Sequence, residues 1–84
     1  MGKHGNDIQS ALITQIKAEM AAKDWKQPEL AKHAGIPTST LHRYLNGGRD
    51  IPLPAFADIA DALGLSYVEL AARAQRRLDG EDVR

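Results

Sequence analysis

QPELAKHAGIPTSTLHRYLN, Gln27 to Asn46, is the stretch whose reading decides the fold. Leu30, Ala31 and Ala34 recur at helical spacing, Gly35 breaks the pattern, and Leu41, Tyr44 and Leu45 restart it at i, i+3 and i+4. Two short amphipathic helices therefore meet at Gly35. Such a corner needs a small residue where the backbones cross, which Ala31 supplies, and a residue able to take positive φ, which Gly35 supplies. Ile36 then fills the wedge between the two helices. Any helical hairpin shares these needs, so the inner faces alone establish packing.

The outer face of the second helix carries the functional signal. At 100° per residue, Leu41, Tyr44 and Leu45 fall on one side, and Ser39, His42, Arg43 and Asn46 on the other. That face is polar and rich in hydrogen-bond donors, chemistry suited to base edges in a DNA major groove. Arg43 is the best guanine reader, because its fork matches O6 and N7, a pair worth about 1–3 kcal/mol of discrimination. Thr40 lies to one side, where it meets backbone phosphate before base. His42 is left open between a base, a phosphate and solvent.

With these residues in place, the stretch resembles the helix-turn-helix of the Cro and lambda-repressor class of phage and bacterial transcription regulators. Gln27, Leu30-Ala31, Gly35-Ile36, Leu41, Tyr44 and Asn46-Gly47 fall at the family's spacing, and the likeness extends from about Ile8 to Leu70. The resemblance implies an all-α, compact five-helix domain that binds a double-stranded DNA operator with helix 3 in the major groove. It implies that Thr38 and Ser39, at the start of that helix, reach bases beside His42 and Arg43. It further implies that Gln27 bonds a phosphate and braces the recognition helix, and that Asn46, Gly47 and Arg49 clamp phosphates after it. These contacts set register without reading sequence. Pro37 departs from the family, which has a serine or threonine cap there, so Thr38 is expected to cap one residue late. Leu45 also departs, standing where the family often has a polar residue; it is open between core and partner contact.

Upstream, residues 1–6 are expected to form a flexible arm. Ile8, Leu12, Ile13, Ile16 and Met20 trace a 3.6-residue stripe from a cap at Asn6 or Asp7 to about Ala22, giving a first core helix. Trp25 then serves as an apolar staple before the second helix, in which Pro28 occupies the first turn. Downstream, Ile51-Pro52-Leu53-Pro54 connects to a fourth helix beginning at Pro54, with Phe56, Ile59, Ala60 and Leu63 inward, Asp58 and Asp61 outward, and Gly64 as its stop. Ser66 and Glu69 form a capping box for a fifth helix whose apolar side is Val68, Leu70, Ala71, Ala74 and Leu78. This stripe outlasts what a five-helix core needs. Leu70, Ala74 and Leu78 are therefore left open between a homodimer or other partner face, since the family commonly binds two-fold operators, and a lone exposed helix carrying Arg73, Arg76 and Arg77. The DNA-binding domain thus spans 7–78, with a polar tail at 79–84.

The 84 residues provide for one domain, which buries about 60 to 65% of its unfolded surface. Eleven basic and eleven acidic side chains give no net charge, at odds with the usual basic excess of nucleic-acid modules. The distribution offsets this: Lys26, Lys32, Arg43 and Arg49 oppose only Glu29 in 26–49, whereas 50–72 is acidic. There is no cysteine, signal-peptide core or membrane-length apolar run, so a cytoplasmic protein is expected. The sequence has no serine elbow, phosphate-cradling loop followed by lysine, or clustered histidines; no enzyme, cofactor, metal or small-molecule ligand is expected. The alternative is a protein-interaction module on the same fold, such as an antitoxin or anti-repressor. Bulky apolar residues on the outer face of helix 3 would favour it, and that face instead carries Ser39, His42, Arg43 and Asn46.

Overall fold

The computed structural model describes residues 2–80, with side chains from Asp7 onward. Five helices follow one another: α1 (Gly2–Ala22), α2 (Gln27–Ala34), α3 (Thr38–Leu45), α4 (Leu53–Ala62) and α5 (Tyr67–Leu78). The described residues contain no strand. α1 and α5 pack antiparallel as the most extensive pair, α2 lies against α3 and α4, and α4 also touches α5. The core gathers at their centre, where Ile16, Leu30, Leu41, Leu45, Ile59 and Leu70 are fully buried. Each such side chain contributes about 1.5–3 kcal/mol through the surface it removes from water. Leu45 is thereby assigned to the core, and the expected inner face of α4 is buried throughout.

The helix stops explain how so short a chain folds back on itself. Gly35 sits at φ 70°, ψ 30°, and the Ile36 N–H donates to the Ala31 carbonyl at 3.0 Å, a left-handed cap that turns the chain sharply. α1 ends in the same way, with the Trp25 N–H donating to Met20 O at 2.9 Å, but there the left-handed residue is Asp24 at φ 58°. A side chain in that region is strained relative to glycine. Starts are less regular. Ser66 Oγ accepts from the Glu69 N–H at 3.0 Å, the expected cap of α5, while the Glu69 carboxylate turns to Arg73 at 2.9 Å instead of completing a box. α2 has the reverse half, with Glu29 Oε1 accepting from the Lys26 N–H at 2.8 Å.

Several boundaries and faces differ from expectation. The backbone of residues 2–6 continues α1 in place of the expected arm, since each residue added to a nucleated helix gains a backbone hydrogen bond; Met1 and the tail residues 81–84 lie outside the described residues. At about 1.5 Å per residue α1 is far longer than α5, so its first turns overhang and Ile8 is exposed. Val68, in the first turn of α5, is likewise exposed. α4 starts one residue early, at Leu53, with Pro54 second. Ile51 before it is buried, its N–H held by Gln9 Oε1 of α1 at 3.0 Å.

A polar seam runs along the α1–α5 contact. Glu19 Oε2 accepts from Arg73 at 2.6 Å and from Gln15 Nε2 at 2.8 Å, and Gln15 Oε1 accepts from Arg77 Nε at 2.5 Å. Partial burial pushes the Glu19 carboxyl up, but hydrogen bonds from Arg73 and Gln15, aided by the positive charge of Arg73 and Lys23, win and hold it below its ordinary 4.5. Conversely, bonds to Glu69 and Glu19 raise Arg73 above its ordinary value. Since Glu19 titrates lower folded than unfolded, its stabilisation is complete above about pH 4.5 and is lost as the pH falls through the folded value.

Two outcomes test this description. Asp24→Gly should raise stability by about 0.5–1 kcal/mol in denaturant titration, because relief of left-handed strain outweighs glycine's entropy. Glu19→Gln should be less stable than the natural chain at neutral pH, with the gap narrowing below about pH 4.5, measured as unfolding midpoints from pH 3 to 7.

Candidate nucleic-acid interface

α3 is amphipathic because its inner residues are claimed by the core. Leu41, Tyr44 and Leu45 are buried, and Thr38, Ser39, His42 and Arg43 are exposed. On the helix these four and Asn46 cover an arc of about 140°. Thr40 is half-buried at the edge of that arc. The corner at Gly35 places α2 beside this face, and Ile36 is packed against the core as expected. The helix starts at Thr38 with Pro37 as its cap residue, which supplies no side-chain bond. Thr38 is thus the first helical residue and not the cap, since the ring of Pro37 already fixes φ at −56°.

Gln27 opens α2, half-buried, and its Oε1 lies 3.2 Å from Nδ1 of His42. This contact joins α2 directly to α3 through His42. Beyond α3 the chain closes tightly. Asn46 Oδ1 accepts from the Gly48 N–H at 2.9 Å, and Gly48 also bonds Arg43 O at 3.0 Å. The Gly47 N–H is turned back to Tyr44 O at 3.3 Å, with φ at 80°. The Gly47 N–H is therefore already occupied, while Asn46 keeps its amide N–H2 and Arg49 is exposed beside it.

Charge follows the same division. Lys26, Lys32, Arg43 and Arg49 are exposed on the α2–α3 side, and Asp58 and Asp61 on α4. Arg73 and Arg77 of α5 bond into the α1 seam, and Arg76 approaches Glu69 at 3.8 Å. Trp25 packs on the core and stacks against His33, ring centroids 4.5 Å apart, with the Lys23 ammonium 5.4 Å from its ring.

The expected partner face is corrected. Leu70 is 0% and Ala74 3% exposed, spent within this chain, because α1 covers the stripe that was read as outlasting the core. Leu78 alone of the three is exposed, beside a shallow recess lined by Asp7, Ser10, Ala11, Thr14 and Arg77. The described residues hold no cluster of potential metal ligands, and no helix among them is long and apolar enough to cross a membrane.

Residues 11–74 match the model of a helix-turn-helix domain family. The chain belongs to that family, a class of DNA-binding transcriptional regulators. Among solved structures it is similar to the crystal structure of the clp gene regulator ClgR from C. glutamicum, with a TM-score of 0.74 and 21% identity over 84% of this chain and 92% of that one, a likeness of fold. No curated protein matches the sequence.

The sequence signal for the α2–α3 unit was direct, but the Gln27–His42 contact had none. Its partners are fifteen residues apart and meet only after the corner forms.

Proposed function

We propose that this chain recognises a specific double-stranded DNA operator with α3 in the major groove, and that it represses transcription by occupying a site that overlaps a promoter, as a phage, prophage or bacterial regulator. One observation carries the reading: the outward arc of α3 presents Thr38, Ser39, His42 and Arg43 to solvent while its inner residues are locked in the core. With its side chains α3 is about 10–12 Å across, a match to the width of the groove. Arg43 is the guanine reader. Thr38 and Ser39 supply hydroxyls that donate to or accept from base edges. Gln27, Thr40, Asn46 and Arg49 hold phosphates, with Gly47 allowing the backbone to come close. Occlusion needs no further machinery, because a bound domain of 31 × 26 × 19 Å excludes polymerase from the same stretch of duplex.

The test is selection of bound sequences from a random duplex pool at near-physiological salt, followed by affinity measurements on the enriched site. An enriched motif is expected, and its symmetry reports whether one or two protomers bind. Retention at background with no motif removes the DNA reading. On the enriched site, Arg43→Ala should cost about 1–3 kcal/mol and relax choice at one base pair. Arg49→Ala should weaken operator and random duplex alike and reduce the slope of log affinity against log salt by about 1.

A further inference from the structure

Within that reading of Gln27 as a phosphate contact, the bond between α2 and α3 assigns a role to His42. An amide presents an acceptor and a donor side, and only the N–H2 side is attracted to a phosphate. A glutamine free to rotate spends part of its time with its oxygen toward the anion. In this chain Oε1 of Gln27 is 3.2 Å from Nδ1 of His42, and Oε1 can only accept, so Nδ1 carries the proton and donates. Among the described residues no other bond is made by the Gln27 amide, which leaves both of its N–H groups available to a ligand.

We infer that His42 is a positioning residue: its imidazole holds the Gln27 amide with the oxygen inward and the nitrogen outward, so that Gln27 and His42 act as one phosphate clasp and His42 does not read a base. Three features favour this. His42 is exposed, so the bond is not a requirement of core packing. Gln27 is half-buried at the first position of α2, where its backbone cannot drift. The contact also spans the corner, joining the only two helices that flank Gly35, so the clasp exists only when α3 is correctly seated.

The experiment is a double-mutant cycle read by DNA affinity, using Gln27→Ala, His42→Ala and the pair, on the selected operator and on a random duplex of equal length. His42→Gln, which can still donate to Oε1, is the conservative variant. His42→Ala is expected to lose about tenfold on both duplexes, with the double variant no weaker than the worse single variant. His42→Gln should recover most of the loss, and the thermal midpoint of the free protein should stay unchanged in all four. Additive losses in the double variant, no loss in His42→Ala, or a loss confined to the operator with altered preference at one base pair would each overturn the assignment. The last of these would make His42 a base reader. Failure of the natural chain to bind either duplex would instead remove the phosphate reading on which the clasp rests, and Gln27→Ala losing affinity while His42→Ala does not would remove the clasp alone.

Discussion

The left-handed turn at Gly35 is the constraint on which the rest depends. With the Ile36 N–H bound to Ala31 O, α2 and α3 leave the corner in fixed directions, and buried Ala31 lets their backbones approach. Leu30 on one helix and Leu41 on the other then meet in the core, and every exposed residue of α3 is aimed as a consequence. The exposed face of α3 is not stabilised for its own sake. Its orientation is a by-product of burying the opposite face, which is why polar residues with no folding role can occupy it.

The remaining helices supply what two short helices cannot. An isolated helix of eight residues is unstable in water, because nucleation outweighs the few hydrogen bonds it completes. α4 covers α2, α5 covers α4, and α1 spans the back, tied to α5 by apolar contacts and by the seam through Gln15 and Glu19. The buried polar atoms of that seam all have partners, so it joins the helices without leaving a desolvated group unpaired.

The α2–α3 unit, the inner face of α4 and the cap at Ser66 were legible because each is a local pattern: a period, a glycine, a serine three residues before a glutamate. What failed to show depended on relations between distant elements. Apolar periodicity cannot reveal a polar seam, so nothing in the pattern pairs Arg73 and Arg77 with Glu19 and Gln15, which they bond. Nor can it say how long a partner helix is. Ile8 lies on the stripe and is exposed because α1 overhangs, and Leu70 and Ala74 looked available because the reach of α1 was not known. In the candidate interface, the exposed arc of α3 followed from its period, while the Gln27–His42 contact required the tertiary corner.

The internal use of the α5 arginines has a consequence for how the protein meets a long polyanion. Arg73, Arg76 and Arg77 are drawn toward Glu19, Gln15 and Glu69, while Lys26, Lys32, Arg43 and Arg49 stay exposed on the α2–α3 side of a molecule whose total charge is zero. Beyond a screening length of about 8 Å at physiological salt, such a molecule exerts little pull in any orientation. Only at contact does its positive side distinguish itself from the acidic one. A molecule built this way gains little from long-range attraction and engages a polyanion chiefly through oriented contact.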